Sequence, residues 1–255
     1  PEQLKVFIDE CHKRGIAVII DMVFNHTTGE NPMAELYPYG NDLKDNPWFN
    51  KTGSIPHKDR EFEPDWNHDF GPTKTMFTRC FQYWLNEYKV DGFRLDAVKH
   101  IDFNFFRNWL KGLRDKYQKP IFTVGEYWNA ELRILENYIE KTEGTLSLFD
   151  VPLHFNMFHA SISNGYYDMR YILKNTLVHS KPELSVTFVD NHDTEPGQAL
   201  QSYILEWFKL HAYCLILLRE EGYPCVFYGD YYGIPHDNIK VMPELKKLLK
   251  IRECC

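Results

Sequence analysis

The chain has 255 residues, 44% of them hydrophobic and 16% aromatic, which suffices for a sizeable core and fits one large α/β barrel or at most two domains. The formal net charge of -7 and the scattered placement of its 29 Lys and Arg lack the basic stripe that nucleic-acid binding requires. No apolar run approaches the roughly 20 residues of a membrane span and no signal peptide opens the chain, so neither nucleic acid nor membrane is an expected partner.

The first segment, "PEQLKVFIDECHKRG", places Leu4, Phe7, Ile8 and Cys11 on one helical face and stops at Gly15. The next, "IAVIIDMVF", is a near-continuous apolar run, the pattern of a parallel strand buried on both faces. The interval 27–74 is rich in Asn, Pro, Gly and aromatics and has no clean periodicity. A loop this long inside a compact domain is normally functional, and it reads as a small excursion over the active-site face. The helix–strand unit then recurs. Phe77, Cys80, Phe81, Trp84, Leu85 and Tyr88 form a stripe before "KVDGFRLD"; Phe106, Trp109, Leu110 and Leu113 form another before "PIFTVGE". Further on, "AELRILENYIEK" precedes "LSLFDVPL", "YDMRYILKNTL" precedes "LSVTFVD", and a helical run from Leu200 to Glu221 precedes "YPCVFYGD", with a helical tail from Pro243.

Six strands alternating with helices predict a parallel sheet with right-handed crossovers. A closed (β/α)8 TIM barrel has eight, so the fold class is α/β, a partial TIM barrel with two strands expected before residue 1. The expected division is 1–26 barrel, 27–74 excursion and 75–255 the rest of the barrel. Cysteines at 11, 80, 214, 225, 254 and 255 match no zinc or dithiol spacing and read as reduced core thiols, with the cytoplasm as the expected compartment. A chain that begins without Met reads as an excerpt, and a secreted parent stays open if a leader was lost.

The strand ends read "DMVFNH", "GFRLDAVKH", "GEYW", "FDVP", "FVDNHD" and "YGDYYG", with carboxylates at the strand ends or just beyond them. Side chains escape a packed barrel interior at those ends, so Asp21, Asp96, Glu126, Asp190, Asp193 and Asp230 are candidates, interleaved with His26, His100, His192, Arg94 and Lys99. A single Asp there is more often a helix cap or an ion-pair partner. Several on one face drive their pKa values apart, giving one acid and one anion, and that chemistry suits glycoside cleavage.

These motifs resemble, in order, the signatures of the α-amylase family of glycoside hydrolases, with "EPDWN" and "GYPCVFYGDYYG" resembling two more. From "LFDVPLHFN" onward the chain is most similar to liquefying and intracellular bacterial α-amylases. The resemblance implies that Asp96 is the nucleophile, Glu126 the acid/base and Asp193 the group that stabilises an oxocarbenium-like transition state in a retaining double displacement. It implies that Arg94 holds Asp96 as an anion, that His26 and His192 contact sugar hydroxyls, that Lys99 and His100 lie on the acceptor side, and that Trp128, with Tyr127, either stacks on sugar or packs in the barrel. Asp21 is expected to orient its neighbours. A structural Ca²⁺ is implied, held by Asn25, Asp65 and the backbone carbonyl of His100, with Asp69 as a further ligand or a solvated loop acid.

The expected function is endo-hydrolysis of α-1,4-glucosidic bonds in starch, glycogen or maltodextrin by a monomer. The short interval after His26 and "NPWFNKTGS" keep a neopullulanase or cyclomaltodextrinase-like activity, or transglycosylation, as an alternative. An inactive α-glucan-binding fragment is the non-enzymatic one. The open strand edges predict poor activity for this stretch alone.

Overall fold

The computed structural model describes residues 2–26, 47–50, 65–237 and 239–254. Most of the predicted excursion at 27–74 therefore lies outside the described residues. The helices are α1 (Glu2–Lys13), α2 (Gly71–Tyr83), α3 (Phe103–Tyr117), α4 (Leu132–Lys141), α5 (Val151–Ile162), α6 (Leu177–Ser180), α7 (Glu206–Leu217), α8 (Tyr228–Tyr232) and α9 (Glu244–Cys254). The strands are β1 (Ile19–Met22), β2 (Gly92–Leu95), β3 (Phe122–Gly125), β4 (Ser147–Phe149), β5 (Ser185–Phe188) and β6 (Tyr223–Cys225), in spatial order β1-β2-β3-β4-β5-β6. All six predicted strands are present, and sequential order is what repeated helical crossovers produce. Among the described residues no helix is long and apolar enough to cross a membrane.

Two compact units divide the chain, residues 1–127 with 140–146 and residues 128–139 with 147–255. In the first, β1 and β2 pair in parallel with Asp21 opposite Arg94, and β2 pairs with β3 with Arg94 opposite Val124. Gly92 makes the second pairing possible, because a Cβ there would lie 2.1 Å from the Phe122 carbonyl oxygen. An aromatic core fills the space under these strands, with the Phe24 ring 4.5 Å from those of Phe77 and Phe81. Asp91 fastens the start of β1 by accepting from the Val18 amide (2.7 Å) and contacting His12 Nε2 (2.9 Å).

In the second unit β5 pairs in parallel with β4 and β6. Its core joins α5, α7 and α9 through Met157, Val189, Phe208, Tyr213, Ile216 and Leu245. Asp150 is the structural key. It is fully buried, caps α5 by accepting from Leu153 N (3.0 Å), and accepts from Leu177 N (3.1 Å) and Val178 N (2.7 Å) at the start of α6. The "FDVP" carboxylate is thus a helix cap.

The structure corrects five expectations. The strand predicted through "LSLFDVPL" ends at Phe149, since Asp150 and Pro152 open a helix instead. "YDMRYILKNTL" is not one helix: Asp168 caps a short 3₁₀ turn at Met169–Tyr171, and Asn156 Nδ2 takes the carbonyls of Ile172 and Lys174 (3.0 Å each), which a continuing helix would need. The run into α7 is helical only from Glu206. The predicted strand through Val23 is not buried on both faces, with Ile19 41% and Val23 51% exposed; among the described residues β1 pairs with β2 alone. The described cysteines are unpaired; Cys214 is half-buried against the core of the second unit, whereas Cys80, Cys225 and Cys254 are exposed and are not core thiols.

Candidate active site

Three carboxylates meet one guanidinium in the first unit. Arg94, on the central strand β2, donates from Nη1 to Asp96 Oδ1 (2.6 Å) and Asp21 Oδ1 (2.9 Å), and its Nη2 lies 3.1 Å from Glu126 Oε2. Strand geometry explains the convergence. Arg94 and Asp96 are two residues apart and so share a face, Asp21 sits opposite Arg94 on β1, and Glu126 directly follows β3. The ends interlock, since Asp96 N donates to Met22 O (3.1 Å) and Glu126 N to Leu95 O (2.9 Å). The Arg94 and Glu126 side chains are largely buried, Asp96 is 19% exposed, and Asp21 is half exposed. Burial works against the Arg94 charge, but the attraction of Glu126, Asp21 and Asp96 outweighs it and raises its pKa.

Ala97, just beyond Asp96, is in the left-handed region (φ 46, ψ 41), which a side chain with a Cβ rarely adopts. That turn directs the Ala97 N–H toward Glu126 Oε2, 3.4 Å away, and Val98 N donates to the Glu126 carbonyl (3.0 Å). Lys99 and His100 follow on a 3₁₀ turn, Lys99 partly exposed and His100 buried. A cavity of about 380 Å³ is lined by His100 with Asn67, His68, Asp102, Asn108 and Trp109; neither Asp96 nor Glu126 is among its lining residues.

Asn25 and Asp65 occupy facing segments. His26 bridges Asp65 in antiparallel fashion, and Trp66 N donates to Asn25 O (2.9 Å). Asp65 Oδ2 accepts from Asn50 Nδ2 (2.8 Å), while the Asn25 side-chain oxygen is buried without a hydrogen bond. Asp69 is exposed and 3.7 Å from Lys74 Nζ. His68 lies under this segment with Nε2 2.9 Å from Phe24 O, and burial lowers its pKa to about 4.

In the second unit, Asp193 and His192 sit on the turn after β5. His192 Nε2 lies 3.3 Å from Asp193 Oδ2, and Asp193 N donates to Asn191 Oδ1 (2.9 Å). Trp128 packs in this unit against His154, Phe155 and Phe188 at 5.7 to 6.2 Å between ring centroids. Asp190 and Asp230 face the buried Lys209, whose Nζ lies 3.0 Å from Asp190 Oδ2 and 2.7 Å from Asp230 Oδ1. Burial pushes Asp190 up to about 6, with Lys209 opposing and Asp230 reinforcing. The sequence reading missed Lys209, Tyr213 and His154. The available signal was a lysine inside the apolar run "EWFKLHAYCLILL".

The α-amylase catalytic-domain family model matches residues 1–75 and 61–250, nearly the whole chain. The chain belongs to the α-amylase family. An α-amylase of Geobacillus stearothermophilus is 60% identical over 165 residues, covering 65% of this chain and 30% of its own length. The cytoplasmic α-amylase of Escherichia coli (strain K12) is 45% identical over 166 residues, 64% of this chain and 34% of its own length. A solved Anoxybacillus α-amylase superposes with a TM-score of 0.73 at 25% identity, covering 99% of this chain and 59% of that one. The chain thus spans about a third of the length of these curated α-amylase relatives, and its six strands belong to an α-amylase barrel.

Proposed function

We propose that the protein carrying this chain is a retaining endo-hydrolase of α-1,4-glucosidic bonds in starch, glycogen or maltodextrin. The observation that supports this most is the seating of Asp96 and Glu126 on neighbouring nitrogens of the Arg94 guanidinium at the ends of β2 and β3. Asp96 attacks the anomeric carbon as its glycosidic bond breaks, Glu126 gives its proton to the leaving oxygen, and Glu126 then takes a proton from the water that releases the sugar from Asp96. Two displacements leave the α configuration. Arg94 keeps the attacking carboxylate anionic and aimed, and Asp21 shares that guanidinium from the other side. Asp193 stabilises the flattened, positively charged sugar. His26, His192, Lys99, His100 and Trp128 contact the glucan around it.

The donors at Asn25 and Asp65 fit a structural Ca²⁺, which takes hard oxygen ligands: the buried side-chain oxygen of Asn25 has no hydrogen-bond partner, and the backbone pairing next to it brings Asp65 opposite. The His100 carbonyl joins them on the family resemblance alone. Asn25 and Asp65 would hold the ion, which would offset the Asp65 carboxylate charge. The protein is read as a cytoplasmic monomer, in keeping with the relative named a cytoplasmic α-amylase.

The test is product analysis. The intact protein releases α-anomers of shorter maltodextrins from amylose, and Asp96→Asn and Glu126→Gln each reduce turnover by at least about a thousandfold. Parental turnover by Asp96→Asn, or β-anomeric products, refutes the proposal. Products longer than the input assign transglycosylation instead.

A further inference from the structure

We infer that Lys209 is a positioning residue for Asp193, acting through Asp190 to fix the turn that carries the His192–Asp193 pair. The inference rests on the reading of Asp193 as a transition-state stabiliser.

Every link lies in one unit. Lys209 is 2% exposed on α7, the helix that supplies Phe208, Ala212 and Tyr213 to the core, and its ammonium lies 3.9 Å from the Tyr203 ring centroid. Two carboxylates hold it. Asp230 is itself fixed, its Oδ2 accepting from Tyr213 Oη (2.5 Å) and its carbonyl from Met242 N (2.8 Å). The ammonium occupies Asp190 Oδ2, which leaves Oδ1 to accept from Thr194 Oγ1 (3.0 Å) and Ile204 N (3.3 Å). Thr194 Oγ1 in turn accepts from Asn191 N (3.0 Å). Asn191 Oδ1 then receives the amides of both Asp193 (2.9 Å) and Thr194 (3.0 Å). The far side of the loop is closed by Leu200 N donating to Asp193 O (3.1 Å) and Ser202 N to Thr194 O (3.0 Å).

This arrangement is a costly way to fill a core. One ammonium between two buried carboxylates leaves a net negative charge, and a buried ion cluster is commonly no more stable than apolar residues of the same volume. What an apolar residue at 209 cannot do is keep Asp190 an anion with a defined free oxygen. Without the ammonium, one of the two facing carboxylates takes up a proton. A protonated Asp190 can present a donor where Thr194 requires an acceptor, and the hydrogen bonds leading to Asp193 then lose their direction. Misplacing a catalytic group by about 1 Å is enough to cost on the order of a hundredfold in rate.

The experiment is a mutant cycle in the intact enzyme, with kcat and KM measured on maltoheptaose. Lys209→Met is expected to lower kcat by about thirtyfold or more with KM changed less than about threefold, since the turn is misplaced and sugar binding is largely retained. In an Asp193→Asn background the same change should cost less than about threefold further, because there is no longer a carboxylate to position. Thr194→Val cuts the Asp190 link while leaving the ammonium in place. It should show the same non-additivity, and it decides the matter if Lys209→Met does not fold. Multiplicative losses in the double variants, or parental kcat in both Lys209→Met and Thr194→Val, overturn the positioning role. Parental kcat in Asp193→Asn overturns the reading of Asp193 itself, whatever Lys209→Met does.

Discussion

Replacing Arg94 with Met keeps most of the side-chain volume and removes the charge that three carboxylates share. The cost follows from burial. Glu126 and Asp96 are 8% and 19% exposed at the side chain, so both lose a partner where water compensates poorly, while Asp21, 54% exposed, is rehydrated at little cost. Removing one member of a buried ion pair costs about 3–5 kcal/mol, and the partial exposure of Asp96 places this site at the lower end, about 3 kcal/mol. That is a large fraction of the stability of a typical domain. The assay is urea unfolding at pH 7 of Arg94→Met, Glu126→Gln and the double variant. The first should lose about 3 kcal/mol, and the double should recover about 1 kcal/mol or more of it, because Glu126→Gln removes the buried carboxyl that depends on the guanidinium. A loss under about 0.5 kcal/mol for Arg94→Met, or strict additivity in the double, would refute the account of Arg94 as the shared counter-ion.

Other outcomes follow from the same reasoning. Asp150→Ala strands three buried amide donors at the starts of α5 and α6 and is expected to destabilise the protein by at least about 3 kcal/mol, read from the denaturant midpoint, with kcat of the folded enzyme within about twofold of the parent. Gly92→Ala drives a Cβ to 2.1 Å from the Phe122 carbonyl oxygen and should part β2 from β3, seen as lost amide protection in both strands. His154 is buried with Nδ1 2.7 Å from Val189 O and Nε2 2.8 Å from Ser202 Oγ, and burial lowers its pKa to about 4. A histidine depressed on folding contributes stability that is present above pH 6.5 and lost as pH falls toward 4, so His154→Gln should flatten the acid limb of a stability–pH curve between those values. Asp190, raised on folding to about 6, has the opposite sign: its contribution is full below about pH 4 and lost as pH rises through 6. Asp190→Asn should therefore compare worst with the parent at the acid end of that range, measured by urea midpoints at pH 4.5 and 7.

The strands were legible because each is a short apolar run between turn signals, and their parallel order followed from the intervening helical stripes. Asp21, Arg94, Asp96 and Glu126 were legible as a group for a related reason: ionisable residues at the end of an apolar run need partners. Which partner each takes was not, because that depends on register, and nothing local says that Asp21 faces Arg94. Asp150 stands at a strand end in "FDVP" but was not among the candidate acids; Pro152 two residues later marks a helix start and so a cap. Lys209 was passed over because an apolar helical stripe tolerates an occasional lysine that extends to the surface. Only the fold reveals that Asp190, nineteen positions upstream, and Asp230, twenty-one downstream, come to meet it.

The left-handed turn at Ala97 puts a donor beside Glu126 that no side-chain substitution can delete. Alanine scanning is blind to it. Its sequence trace is instead a restriction on shape: position 97 should accept Gly, Asn or Asp, which tolerate this conformation, and reject Val, Ile or Thr, whatever their polarity. Saturation mutagenesis there would sort residues by backbone tolerance.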